Sequence, residues 1–288
     1  MRSRTIDEPG EQAGTAVRIL VAPPGATLQD AGRTGWLHAG VPASGPLDAT
    51  AHAAANLAVG NDPREAALEI PLGALRIAAV GAVRVSIDGD PAQSLANGEE
   101  LAIPPCSRAV RYLAVAGGFA VPPVLGSRAT LLVAGWGGFH GRAVRGGDGL
   151  PVGLAGATPQ RVSAVPSVVD PPDPPELRVR PGPHVARMPA VALDQLMATT
   201  WRVSSRGDRV GMRLEGGAIA RSGDDRGPPA PMVRGAIQVT TDGTPIVLGP
   251  DHPVTGGYPV LAVLGRTSQN VLARLRPGRA LRFTLETG

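Results

Sequence analysis

The chain of 288 residues has no lysine; all 28 of its basic residues are arginines. No carrier group of the lysyl-linked kind can be attached to it. Guanidinium stays charged to very high pH, so an arginine-only chain acquires a high isoelectric point cheaply. The value of about 10.4 therefore overstates any affinity for polyanions, because the formal net charge is only +4. No basic run is interleaved with aromatics, and no nucleic-acid motif is present. A single cysteine, Cys106, excludes an internal disulfide and reads as a small buried filler between strands. No apolar run is long enough to span a bilayer. Residues 1–15 are charged and have no apolar core, which points to a disordered tail, not a secretory signal, and makes the cytoplasm the expected compartment.

Other absences narrow the chemistry. The five histidines, at 38, 52, 140, 184 and 252, show neither HExxH nor Cys/His spacing, so no metal site is expected. The glycine-rich run 135–142 lacks a Gly-Lys-Ser/Thr ending and reads as a turn stacking Trp136 and Phe139 on the fold, not as a phosphate loop. Ser44 has no nucleophile elbow around it and reads as a turn hydroxyl. Aromatics make up 3% of the chain, so its cores must rest on Val, Leu, Ile and Ala.

Gly 39 and Pro 30 are abundant, and they favour short strands and many turns over long helices. The run Pro171-Pro172-Asp173-Pro174-Pro175 can continue neither a helix nor a central strand. It predicts a linker over 169–175 between two mostly-β lobes, 16–168 and 176–288. Predicted strands are 17–21, 68–70, 75–80, 84–87, 100–103 and 109–116 in the first lobe. In the second they are 176–181, 201–204, 212–215, 235–239, 245–248, 260–264 and 281–285. Helices are predicted at 47–59, with Asp48 at its positive end, at 190–198 and at 268–275. Asn61, just past the first helix, reads as a cap.

Three segments carry candidate chemistry. The first is Asp251-His252-Pro253-Val254-Thr255-Gly256-Gly257-Tyr258-Pro259, which follows an apolar strand. Paired glycines permit close backbone approach to a ligand, and carboxylate, imidazole, hydroxyl and phenol stand beside them. Asp251, His252 and Tyr258 are the catalytic candidates, His252 as a base near neutral pH. Thr255, Gly256 and Gly257 are candidates to hold a carboxyl or amide group; the plain alternative is a tight turn with Tyr258 packed at an edge. The second segment, 208–215, alternates. On a strand, Arg209, Gly211, Arg213 and Glu215 share a face, where two guanidiniums would clamp a planar carboxylate or carbamate. The alternatives are a polar face on which Glu215 neutralises Arg213, and an Asp208–Arg209 pair that shapes the loop. The third segment holds Asp30 and Arg33, either paired locally or pointing between the lobes. Gln238, in Gly235-Ala236-Ile237-Gln238-Val239, completes the set.

These motifs stand in the same order as Gly40-Val41-Pro42-Ala43-Ser44-Gly45, Leu68-Glu69, Tyr112 to Gly118 and Gly126-Ser127-Arg128. Together they resemble the biotin-dependent carboxyltransferase-like family over about residues 17–284. That family takes in the C subunit of bacterial 5-oxoprolinase, the Kip antagonist, allophanate hydrolase subunit 2 and part of urea carboxylase. The resemblance implies two cyclophilin-like β-barrel lobes. It also implies a subunit of an ATP-dependent amide or lactam hydrolase, opening 5-oxoproline to glutamate. The partners would be a smaller homologous subunit, of the B or allophanate hydrolase subunit 1 type, and an A-type subunit. ATP enters only through the resemblance. An alternative implication is a carboxyltransferase-like subunit that needs biotin on a separate carrier. Another is a non-catalytic regulatory protein of the Kip antagonist type.

The sequence departs from the family pattern in places. Pro229-Ala230 stands where Ser-Glu is usual, Thr240-Thr241 where Pro-Pro is usual, and Val254 where a threonine is usual. The first change removes a hydroxyl and a carboxylate near the glycine-rich run. It counts against ordinary activity and favours the regulatory reading.

Overall fold

The computed structural model describes residues 14–154, 165–222 and 227–286. Most of the expected tail, and residues 155–164, lie outside the described residues. The first half contributes β1 (Ala16–Val21), β2 (Thr27–Gln29), α1 (Ala49–Ala58), β3 (Ala67–Pro71), β4 (Leu75–Val80), β5 (Val83–Ile87), β6 (Gln93–Leu95), β7 (Glu100–Ile103), β8 (Val110–Val115) and β9 (Gly149–Pro151). The second contributes β10 (Glu176–Pro181), α2 (Val191–Ala198), β11 (Trp201–Val203), β12 (Gly211–Glu215), β13 (Ala230–Pro231), β14 (Ala236–Val239), β15 (Pro245–Leu248), β16 (Thr255–Gly256), β17 (Val260–Leu264), α3 (Arg266–Arg274) and β18 (Ala280–Leu285). The expected strands and helices are all present. The strands the sequence did not announce (β2, β6, β9, β13 and β16) have two or three residues each, too few to show a period.

Strands of the first half form two sheets, ordered β7-β4-β1-β9 and β2-β3-β8-β5-β6. Their inner faces share a core of Ile, Leu and Val, including Ile19, Leu28, Leu68, Ile77, Val85 and Leu113. Edge strands β2, β6 and β9 are only three residues long, which limits the unpaired backbone they offer. The second half is a closed barrel, β10-β17-β14-β15-β12-β11-β18. Closure comes from its first and last strands, β10 and β18, which pair in parallel from Glu176↔Arg282 to Val179↔Leu285. Alternating burial along β10 and β18 turns Leu177, Val179, Leu281 and Phe283 inward, as a sheet with one wet face requires. The proline-rich segment between the halves is fastened to both. Asp170 accepts from Ser107 at 2.6 Å, and Arg274 donates to the carbonyl of Val169 at 2.8 Å.

Two expected contacts are corrected. Trp136 is 42% exposed and lies outside the core, while Phe139 is half-buried and packs on it. Gly135 and Gly137, on either side of Trp136, are both in the left-handed region. Cys106 is half-buried in the turn between β7 and β8, not between strands, with its carbonyl taken by Arg276.

Helix α1 joins the halves. Asp48 caps it, accepting from the backbone N–H groups of Thr50 and Ala51 at 3.0 and 3.2 Å. This is the acceptor that a helix N-terminus lacks within its own hydrogen-bonding pattern. The same fully buried carboxylate receives Arg274 of α3, Nε to Oδ2 at 2.6 Å. Small alanines on α1 let it lie close to Tyr112 and Ala114 of β8 and to Ala273 of α3. Asp48→Ala removes the cap and leaves Arg274 buried without its carboxylate. It should lower stability by at least about 3 kcal/mol. Asp48→Asn keeps a capping oxygen and should cost less. Urea unfolding of the two variants beside the parent chain measures both.

Candidate functional site

A cleft of about 480 Å³ opens where the halves meet. Leu47, Pro71 and Leu72 wall it on one side, and Val203, Met212 and Leu275 on the other. Its charged lining consists of Glu69, Asp208, Arg209 and Asp251. Glu69 lies on β3 of the first half and Asp251 on the loop after β15 of the second.

Arg209 ties two of these carboxylates together. Its Nε donates to Asp251 Oδ2 at 2.8 Å, and Nη1 donates to Glu69 Oε1. Nη2 donates to the carbonyl of Gly45 at 2.7 Å and to Asp251 Oδ1 at 3.3 Å. Burial works against the cation, but Glu69 and Asp251 outweigh it, and Arg209 holds its proton more firmly than a free arginine. Glu69 Oε2 in turn accepts from Tyr112 Oη at 2.6 Å and from the N–H of Leu47 at 2.8 Å. Tyr112 is fully buried and also accepts from the N–H of Asp48 at 2.9 Å. Burial and the nearby Glu69 and Asp48 carboxylates hold the phenol protonated well above its usual range, so it remains a donor. Arg234 completes the seam, donating to the carbonyls of Pro46 and Leu47 at 2.9 and 2.6 Å.

The residues singled out in the sequence fall in three places. Arg209 and Asp251 sit in the cleft. Arg209 precedes β12, which begins at Gly211, so the two-arginine strand face is not formed. The chain there turns instead, with Asp208 Oδ1 accepting from the N–H groups of Val210 and Gly211. Neither of the local pairings is formed. Arg209 pairs with Glu69 and Asp251 rather than Asp208. Glu215 is exposed and accepts from Ser204 Oγ rather than meeting Arg213. Arg213 is half-buried on β12 opposite Ile246 and does not line the cleft.

The glycine-rich run forms a second place. Thr255 and Gly256 make a two-residue ribbon with Pro231 and Ala230. Gln238 Nε2 lies against it and donates to the carbonyl of Tyr258 at 3.3 Å. A Cβ on Gly256 would come within 2.8 Å of that nitrogen, so a side chain there would push the end of Gln238 aside. Gly257 and Tyr258 are half-buried beyond the ribbon. Ala230 faces Gly256 directly, which puts the Pro229-Ala230 departure on the ribbon itself. His252 is buried, with Nδ1 2.8 Å from the carbonyl of Pro253.

Asp30 and Arg33 form the third place and do not pair with each other. Asp30 accepts from Gly32 N, Ser127 Oγ and Arg128 N. Arg33, 1% exposed, donates to Ser44 Oγ at 3.1 Å and to the carbonyls of Val124 and Ala129. Burial lowers its pKa, with Asp30 and Asp251 acting against that. Ser44 is thus a turn hydroxyl, in the left-handed region at φ 57°. Asn61 locks the end of α1, with its side chain on Asn56, Val115 and Gly117.

Glu69 and Tyr112 stand within the sequence motifs, yet the sequence alone assigns them no part in a site. A carboxylate and a phenol inside otherwise apolar strands are the available signal, because charge at a buried strand position needs a partner.

A mostly-β chain with a closed barrel, and a polar seam across its two halves, defines the structural class. The carboxyltransferase domain model, subdomains A and B, matches residues 39–285, and the chain belongs to that family. It is 33% identical over 282 residues to the C subunit of the 5-oxoprolinase of Escherichia coli K12, covering 93% of this chain and 90% of that protein. It is 29% identical over 337 residues to the urea amidolyase of Lachancea kluyveri, covering 98% of this chain but 18% of that protein. The crystal structure of Kluyveromyces lactis urea carboxylase superimposes with a TM-score of 0.88 at 25% identity, covering 96% of this chain and 28% of that one.

Two outcomes test the seam. Tyr112→Phe removes the donor to Glu69 and the acceptor for Asp48 N–H. It should destabilise the chain by about 1–3 kcal/mol in urea unfolding. The second concerns His52, 2% exposed on α1. It lies edge-on to Tyr112, with Nε2 3.0 Å from the carbonyl of Gln29. Burial holds its pKa below 6.5, against the opposing pull of the Gln29 carbonyl, Glu69 and Asp30. As pH falls through 6.5 the unfolded chain takes up a proton on His52 that the folded chain refuses, so stability drops. The fall in Tm between pH 7.5 and pH 5.5 should be smaller in His52→Gln than in the parent chain.

Proposed function

We propose that this chain is a subunit of an ATP-dependent amide or lactam hydrolase. In this reading it works as the C subunit of 5-oxoprolinase does, with a smaller homologous subunit and an A-type subunit. The observation that carries the reading is end-to-end similarity to that protein, 33% identity across 90% of its length. The interlobe cleft fits a small amide: apolar walls strip water from the ring, and the carboxylate floor accepts its N–H. Of the three residues read as catalytic, Asp251 is the one that opens on the cleft, and we assign it the contact with substrate. Arg209 fixes the Asp251 carboxylate, and Glu69 fixes Arg209.

The cleft does not fit the nucleotide. Its one guanidinium is already bonded to two carboxylates, and a triphosphate would face Glu69, Asp208 and Asp251. ATP in this reading belongs to another chain of the complex. The complex so proposed works in the cytoplasm. No described helix is long and apolar enough to cross a membrane.

A second reading rests on the superposition with urea carboxylase at a TM-score of 0.88. There the same cleft would serve carboxyl transfer. The biotin would have to ride on a separate protein, because this chain has no lysine to carry it.

The deciding experiment mixes the chain with its candidate smaller and A-type subunits and follows ATP hydrolysis and glutamate release, with and without 5-oxoproline. Turnover that depends on 5-oxoproline, cut about 100-fold by Arg209→Ala through misplacement of Asp251, is the expected result. A stable complex without turnover would reject the lactam reaction and leave the carboxyl-transfer reading.

A further inference from the structure

Exposed aliphatic side chains ring the mouth of the cleft. Leu72, Leu132, Val133 and Val210 all line it, and all stand well into solvent, Val133 at 80% exposure. Single apolar residues are ordinary on a surface, but four around one opening make a patch of the kind that marks a contact site. The patch has a fixed backbone. Leu132 and Val133 sit on a short 3-10 turn, and Leu131 and Trp136 close it with two backbone hydrogen bonds, one in each direction, at 2.9 and 3.2 Å. Trp136 is exposed on the same turn. Leu72 lies at φ 30°, a conformation unfavourable to leucine, and its N–H is tied to the carbonyl of Ala109 at 2.9 Å. A backbone held in this way has little freedom to lose when something covers it. The segments that carry these residues in the first half, 70–75 and 129–141, contain no Asp, Glu, Arg or Lys.

We infer that this rim is the docking surface for a different protein chain, which seats a convex, uncharged apolar face over the mouth of the cleft. Charge and shape select that occupant. A membrane surface is met by cationic anchors beside the apolar side chains, and neither 70–75 nor 129–141 holds one. A second copy would, in the common two-fold arrangement, bring the same patch against itself. With an opening of about 480 Å³ at the centre, two such rims would close on a void and bury little. A strongly acidic or basic face would find nothing to complement on the first-half side of the rim. This docking surface rests on the heteromeric reading given above and adds to it the place where the second chain sits. The candidate smaller subunit is the chain expected there.

Assembly of the full-length chain with its candidate smaller subunit tests this without turnover. Light scattering after size exclusion gives the stoichiometry, and titration calorimetry gives the affinity. Expected are a monomer when the chain is alone and a one-to-one complex in the mixture. Its Kd should change less than about threefold between about 50 and 500 mM salt, because no charge pairs hold the contact. Leu132→Asp and Val133→Asp should each weaken the complex at least about tenfold, since each sets a charge into a desolvated apolar contact. Val233→Asp, at an exposed valine before β14 that does not line the cleft, should leave the affinity unchanged. Val133→Ala adds no charge and should weaken the complex by a smaller factor, which keeps the test decisive if an aspartate variant unfolds. An affinity indifferent to Leu132→Asp, Val133→Asp and Val133→Ala would overturn the inference. So would absence of a complex, a complex weakened tenfold or more by salt, or a dimer of the chain alone that Val133→Asp breaks, which would give the rim to a second copy. The two proposals fail separately: a complex that opens 5-oxoproline and ignores the rim variants rejects only the docking surface. A complex that the rim variants break but that turns nothing over rejects only the reaction.

Discussion

Arg209 is the fastener on which the cleft depends. It reaches from the second half of the chain to Glu69 on a strand of the first, and binds Asp251 of its own half with the same guanidinium. A third bond, to the carbonyl of Gly45, fixes the loop that leads into α1. A single planar cation thereby ties together two halves that each have a hydrophobic core of their own. The planar, multidentate geometry of arginine suits this task in a way that a point-charge ammonium would not. Around it the pattern repeats at smaller scale: Arg234 holds the carbonyls of Pro46 and Leu47, and Arg274 holds Asp48. The segment 44–50 is thus gripped by three arginines from the other half, and part of the chain's basic composition is used inside it.

That arrangement redefines what the chain's arginines are for. In isolation, alternating arginines ahead of a strand suggest a surface ready to receive an anion. Here the leading one is already neutralised by carboxylates that arrive from 42 and 140 residues away in sequence. A buried ion pair of this kind adds little net stability over an apolar contact, yet removing one partner is costly. Its value lies in orientation, because two bonds from one guanidinium fix the Asp251 carboxylate in place.

Much of the fold was legible in the residues. Alternation in β1, β4 and β18 and the alanine-rich α1 are local signals, and local physics decides them. Family resemblance supplied the barrel architecture, which periodicity does not encode. The site was only partly legible. Asp251 and Arg209 were visible as charged residues beside glycines, but their mutual bond and the part of Glu69 are long-range facts. Asp251 and His252 are adjacent in sequence, yet one opens on the cleft while the other is buried against the carbonyl of Pro253. Of the Thr255–Tyr258 run, the most conspicuous motif, Thr255 and Gly256 form a two-residue ribbon with Gln238 lying against Gly256.

The Pro229-Ala230 departure gains a physical meaning from the same ribbon. Ala230 pairs with Gly256 and Pro231 with Thr255, so the usual serine and glutamate would add a hydroxyl and a charge beside that ribbon. None of these residues lines the interlobe cleft, where Glu69, Arg209 and Asp251 are intact. A loss confined to the ribbon therefore alters whatever that surface meets while leaving the cleft's acceptor in place. For that reason the departure argues less against chemistry in the cleft than the sequence alone suggested.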